Sequence, residues 1–141
     1  MTLSALSTPA LLIEQARVQE NLAAMQATAD ANDVTLRPRV KTHKAVAIAE
    51  QQQQRGATGL TVATVHEAET FVAAGFDAVR VAYPVVGRPK HDRLRALRAL
   101  ATLPFPVDTM AGAYPASAVY AGADISPSPP ITQARRSSSS I

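Results

Sequence analysis

The sequence predicts an α/β fold with parallel strands. Short apolar or β-branched runs alternate with amphipathic stretches of ten or more residues, and three of those stretches end on turn-forming residues: Asn32-Asp33, Gly56 and Gly75. Strands separated by helices of that length pair in parallel through crossovers rather than by hairpins.

The elements follow in order. Residues 8–13, an apolar run opened by Thr8-Pro9, predict a strand. Residues 14–31 carry Val18, Leu22 and Met25 at spacings of four and three, which is one face of a helix. After the Asn32-Asp33 turn, residues 34–40 read as a short strand interrupted by Pro38. Thr42 is placed to cap a helix running to about Arg55, with Val46, Ile48 and Ala49 on its apolar side and Gly56 as a left-handed cap. The glutamines at 51–54 fall on the exposed surface of that helix. Residues 59–63 are the next strand. Thr64 is the next N-cap, with Glu67 at the capping-box offset of three, and Gly75 the next stop. Residues 78–82 form a strand, 83–87 a loop, 88–101 a helix bearing Leu94, Leu97 and Leu100, and 104–107 a further strand.

From Met110 onward the chain is rich in Ala, Ser, Pro and Gly without periodicity, and 126–130 and 135–140 have disorder-like composition. The expected division is therefore a folded domain over 1–108 and an irregular, low-complexity tail over 109–141. That tail reads either as an ordinary flexible end or as the product of a shifted reading frame.

Composition narrows the function classes. A hydrophobic fraction of 47% suits a globular domain, and the lack of cysteine excludes disulfides and thiolate-bound zinc, making the cytoplasm the expected compartment. The first seven residues lack the charged and apolar regions of a secretory signal, and no apolar run approaches the roughly 20 residues of a membrane span. A net charge of +3 and a pI near 9.7 raise the question of an acidic partner. Arg88, Lys90, Arg93, Arg95 and Arg98 lack interleaved aromatics, however, and aromatic residues are only 4% of the chain. Neither nucleic acid nor membrane is expected as a partner.

The chemistry concentrates in Arg37-Pro38-Arg39-Val40-Lys41-Thr42-His43-Lys44, where a strand gives way to a helix. Period 2 puts Arg37, Arg39 and Lys41 on one face. Neighbouring cations lower the pKa of a lysine, and a neutral amine attacks carbonyls. His43 shares that face if the strand runs on, and otherwise starts the helix. Tyr83, at a strand end before Pro84, is either a rim residue or an aromatic packing the loop. His66 and His91 are expected at the surface. No two histidines show the spacing of a local metal site, so no metal ligands are assigned.

The octapeptide stands in order with Ser7-Thr8-Pro9-Ala10-Leu11, Val62-Ala63-Thr64 through Glu67-Ala68-Glu69, and Ala82-Tyr83-Pro84-Val85-Val86-Gly87. Over residues 8–100 the chain thereby resembles the D-threonine aldolase and D-serine dehydratase family, pyridoxal-phosphate enzymes of the alanine-racemase fold. The resemblance implies the N-terminal portion of a parallel (β/α)8 TIM-type barrel, whose complete form takes about 250 residues, with residues 8–13 belonging to the family's C-terminal β-domain. It implies that Lys41 is the catalytic lysine, binding pyridoxal 5'-phosphate as a Schiff base; Arg39, His43 and Tyr83, from their places next to that lysine and at a strand end, are the further residues expected to border the cofactor. Where Arg39 stands, the family usually has histidine. The cofactor's phosphate is held by later strands and a divalent metal by the C-terminal domain, so their ligands are expected outside this chain. The implied activity is that of a lyase on small D-3-hydroxy amino acids, of D-threonine aldolase or D-serine dehydratase type, here in a truncated and inactive form, with a homodimer as the full-length assembly. A racemase of the same fold and a non-catalytic pyridoxal-phosphate-binding protein are the alternatives.

Overall fold

The computed structural model describes residues 6–121. Its elements are α1 (Gln15–Ala31), a 3-10 turn (Val40–Thr42), α2 (Val46–Gln54), β1 (Leu60–Val62), α3 (Val65–Ala73), β2 (Val79–Val81), α4 (Arg88–Leu97) and α5 (Met110–Val119). β1 and β2 pair in parallel, with Leu60 opposite Val79, Thr61 opposite Arg80 and Val62 opposite Val81. Single parallel bridges extend this sheet on both sides, Arg39 to Thr61 and Ala78 to Thr102. Four extended segments therefore lie side by side in chain order, as strand–helix alternation predicts.

The two outer segments are less regular than the sequence suggests. Pro38 has no N–H and can meet the sheet only as an acceptor: Thr61 N–H donates to Pro38 O at 2.8 Å, and Thr58 N–H to Leu36 O at 2.9 Å. On the far side, Val79 and Val81 donate to the carbonyls of Thr102 and Pro104, both at 3.0 Å, so pairing falls on 102–104 rather than on 104–107. Residues 8–13 form no strand. Leu11, Leu12 and Ile13 are exposed and have no sheet partner among the described residues.

The pleat sorts the side chains. Leu60, Val62, Val79 and Val81, with Val40, are wholly buried in one cluster with Val65, Ala68, Phe71 and Val72 of α3 and Leu94 of α4. Each such side chain contributes about 1.5–3 kcal/mol of burial. Phe71 and Phe76 meet edge to face at 5.7 Å in this cluster. Alternation sends Thr61 and Arg80 to the opposite face.

Helix boundaries obey local chemistry in part. Thr64 caps α3 as predicted, its Oγ1 accepting from Glu67 N–H at 3.0 Å, while the Glu67 carboxylate accepts from Ala63 N–H at 2.7 Å. Thr42 does not cap α2. It lies in the 3-10 turn, its hydroxyl donating to Arg39 O at 3.3 Å, and Lys44 then takes φ +52°, a left-handed conformation that delays the helix to Val46. Lys44 consequently sits in a turn and not on a helix. On α1 the buried residues are Gln26 and Ala29, and Met25 is exposed; Leu100, past the end of α4, is exposed too.

Two further expectations change. His91 is buried: its ring lies 5.9 Å from that of Phe105 with Nδ1 3.0 Å from Gly87 O, because it stands one turn before Leu94 on the inner stripe of α4. The chain also stays regular past residue 109. α5 forms despite its internal Pro115, its alanines favouring helix, and it is closed by Tyr120, which stacks on Phe105 at 5.5 Å and donates to Leu103 O at 2.6 Å. The serine-proline and arginine-serine runs of the tail lie outside the described residues.

Gly59 is where the sheet tolerates no side chain. It holds φ +150°, and a Cβ there would lie 2.5 Å from Arg37 Nη1 and 2.6 Å from Ala78 O. Gly75, at φ +96°, has open space around it. Gly75→Ala is expected to cost only the backbone term, about 1–2 kcal/mol, whereas Gly59→Ala adds a clash with backbone and costs more. Chemical denaturation of the two variants checks this, equal losses being the contrary result.

Candidate active site

The C-terminal ends of the parallel segments carry residues 40–44, 63–67 and 82–83. In the first, Val40 is fully buried toward the helices, and Arg39 before it and Lys41 after it are exposed. The chain has three lysines. Lys44 Nζ lies 3.2 Å from Glu67 Oε1, and Lys90 Nζ stands 5.8 Å from the centre of the Tyr83 ring. The Lys41 amine has no partner among the described residues.

The sheet face opposite the helices is cationic. Register places Arg39, Thr61 and Arg80 in one row across three segments. Arg37, two residues before Arg39, reaches over Gly59 to donate to Ala78 O at 3.3 Å. Arg39 and Arg80 make no ion pair or side-chain hydrogen bond among the described residues. Two unpaired guanidiniums thus flank Thr61, with Lys41 next along the exposed edge of the first segment.

His43 turns elsewhere. Its Nδ1 accepts from Ala45 N–H at 3.1 Å, which leaves the proton of the neutral ring on Nε2. Nε2 faces the Gln52 amide without closing a well-formed hydrogen bond. The ring lines a cavity of about 340 Å³ between α1, the 36–43 segment and α2, together with Leu22, Gln26, Arg37, Arg39 and Gln52. Burial lowers the His43 pKa from its ordinary 6.5, and the Gln52 amide opposes that shift. Tyr83 ends its segment half-buried, its ring packed at the edge of the core beneath Lys90. Of the residues expected around Lys41, the structure places Arg39 and His43 on the lining of the cavity between helices and Tyr83 near Lys90 of α4.

Two residues enter that the sequence reading did not assign. Arg80 was legible in the alternation of 78–82, which exposes it between two buried valines. Glu67 was legible only as a cap; its ion pair to Lys44 is a tertiary contact. Among the described residues, no group of three or more His, Asp or Glu side chains is placed to hold a metal ion. No helix among them is long and apolar enough to cross a membrane.

The fold is a short parallel α/β arrangement, with an exposed lysine that has no partner among the described residues where its first extended segment ends. The comparisons give the family. Residues 13–109 match the alanine racemase N-terminal domain, and the chain belongs to that family of fold-type III pyridoxal-phosphate proteins. It is 42% identical over 112 residues to D-threo-3-hydroxyaspartate dehydratase of Delftia sp. (strain HT23), covering 79% of this chain and 30% of that one. It is also 42% identical over 106 residues to D-threonine aldolase of Arthrobacter sp, covering 75% and 28% respectively. The crystal structure of D-threonine aldolase from Filomicrobium marinum superposes with a TM-score of 0.80 at 36% identity, covering 83% of this chain and 32% of that one. The chain thus spans less than a third of the length of these relatives.

The His43 environment generates a pH prediction. A histidine whose folded pKa lies below 6.5 contributes full stability above that value, and the contribution is lost as pH falls through the window down to the folded pKa. Thermal stability is expected to decline as pH drops below about 6.5. In His43→Asn, whose Oδ1 can still accept from Ala45 N–H, that arm flattens while the carboxylate arm below about pH 4.5 remains. Melting curves from pH 8 to about 4 check this; an unchanged slope in the variant is the contrary result.

Proposed function

We propose that this protein is a pyridoxal-phosphate-dependent lyase acting on small D-3-hydroxy amino acids, of aldolase or dehydratase type, with Lys41 as the cofactor-bearing residue. The observation that carries the reading is the Lys41 amine: exposed at the end of the first parallel segment, and alone among the three lysines without a partner among the described residues. The relatives support the reaction class, since both an aldolase and a dehydratase acting on D-configured 3-hydroxy compounds are among them.

The residues present suit the cofactor. Pyridoxal phosphate supplies a carbonyl for an amine and a ring that draws electron density from the Cα of a bound amino acid. Lys41 presents a free amine to that carbonyl. The guanidiniums of Arg39 and Arg80, without ion-pair partners among the described residues, favour the carboxylate of an amino acid. Val40, anchored in the core, fixes the backbone immediately before Lys41, so the amine is carried by a rigid support. The divalent metal that the resemblance implies finds no ligand cluster among the described residues, and no step is drawn through it.

Incubation with pyridoxal phosphate, borohydride reduction and peptide mapping tests the assignment. The label is expected on Lys41; a label predominantly on Lys44 or Lys90 overturns it. Because nothing among the described residues polarises a β-hydroxyl, cleavage of D-threonine by this chain alone is expected to be undetectable. Turnover that disappears in Lys41→Ala would show that the chain needs no further support.

A further inference from the structure

We infer that Glu67 is a selectivity and positioning residue: by holding Lys44 in an ion pair, it decides which of two neighbouring lysines takes the carbonyl cofactor. The inference rests on the reading of Lys41 given above. Lys41 and Lys44 are three residues apart in one tight turn, both exposed and both chemically competent. Only their partners distinguish them. Lys44 Nζ lies 3.2 Å from Glu67 Oε1, and the Glu67 side chain is 11% exposed, so this carboxylate is largely fixed in place.

Glu67 is fixed from three directions. Its Oε2 accepts from Ala63 N–H at 2.7 Å, its own N–H donates to Thr64 Oγ1 at 3.0 Å, and it stands in the first turn of α3. The carboxylate is therefore tied to the end of β1 before it meets Lys44. Lys44 is constrained in turn, with a left-handed backbone at φ +52° and its N–H donating to Val40 O at 2.8 Å. The left-handed turn directs the Lys44 side chain to Glu67, and the ladder Val40–Lys44–Glu67–Ala63 bolts the Lys41 turn to the neighbouring segment. Both lysines must lose a proton before they can attack a carbonyl, and Lys44 must in addition break its contact with Glu67, while Lys41 has no such contact to break.

The pair is partly exposed, and pairs of this kind change competing equilibria by factors of about two to five. The test uses the whole chain with pyridoxal phosphate as probe, borohydride trapping and quantitative peptide mapping. Glu67→Gln keeps an amide oxygen for Ala63 N–H and removes the charge. It is expected to raise the Lys44 to Lys41 label ratio by about two- to five-fold. Lys44→Gln, altered at an exposed position that leaves the core untouched, breaks the same pair from the other side. Hydrogen exchange of the 40–44 amides is expected to quicken in Lys44→Gln but not in Lys44→Arg, which keeps a cation for Glu67. An unchanged label ratio in Glu67→Gln, or unchanged exchange in Lys44→Gln, overturns the inference and leaves Lys41 in its role. Failure of the parent reading shows differently, as wild-type label away from Lys41.

Discussion

The arrangement depends on the hydrogen bond from Thr61 N–H to the Pro38 carbonyl. Pro38 has no donor to give, so it can join the sheet only by accepting, as Leu36 also does two residues earlier. The bond sets the register that brings Arg39 opposite Thr61. Once that register is set, pleating turns Val40 into the core and leaves its neighbours outside. Val40 is wholly buried, a strong constraint on a short irregular segment, and the turn after it starts from a fixed point. Gly59 is part of the same device. Its lack of a side chain lets the Arg37 guanidinium cross to Ala78 O, a second tie between the proline-interrupted segment and the sheet.

Much of this was legible in the sequence because it rests on local rules. The Thr64–Glu67 cap, the positive φ at Gly56 and Gly75, and the burial of Val79 and Val81 around Arg80 follow from spacing and residue type alone. The departures arise where a long-range contact outweighs a local preference. Thr42 has the chemistry of a cap, but Val40 must stay in the core and the chain needs a 3-10 turn and a left-handed residue to leave it. His91 is polar and lies among basic residues, yet its position one turn before Leu94 carries it inside, where Gly87 O and Phe105 receive it. The helix over 110–119 escaped a periodicity argument because alanine marks neither face clearly. Its docking instead runs through Val119 and Tyr120, at and just past its end.

The site was legible to a different degree. A lysine after a β-branched run can be found in sequence; the fact that it alone of the three lysines has no partner among the described residues cannot. That distinction comes from contacts 23 residues apart in the chain for Lys44 and Glu67, and from the packing of the 83–90 loop and helix start for Lys90 and Tyr83. His43 shows the converse. Its position next to the turn suggested a place beside the lysine, but Ala45 N–H captures its Nδ1 and the ring follows into the layer between α1 and α2.

Helix α3 connects these features through two carboxylates that diverge. Glu67, in its first turn, faces back to the end of β1 and to Lys44. Glu69, two residues later, points across to α4, where Arg93 Nε donates to its Oε1 at 2.6 Å and the guanidinium holds its carboxyl below the usual carboxylate range. Residues two apart on a helix cannot face the same neighbour, so one short helix ties together the element before it and the element after it. The anchoring force is the burial of Val65, Ala68, Phe71 and Val72, which fixes the helix on both strands. The carboxylates contribute direction more than energy, since their partners Lys44 and Arg93 are exposed. The acidic partners of α3 thus meet cations of the turn and of α4, while the guanidiniums of Arg39 and Arg80 stay unmatched on the opposite face. Guanidiniums without acidic partners on one sheet face raise the local positive potential there.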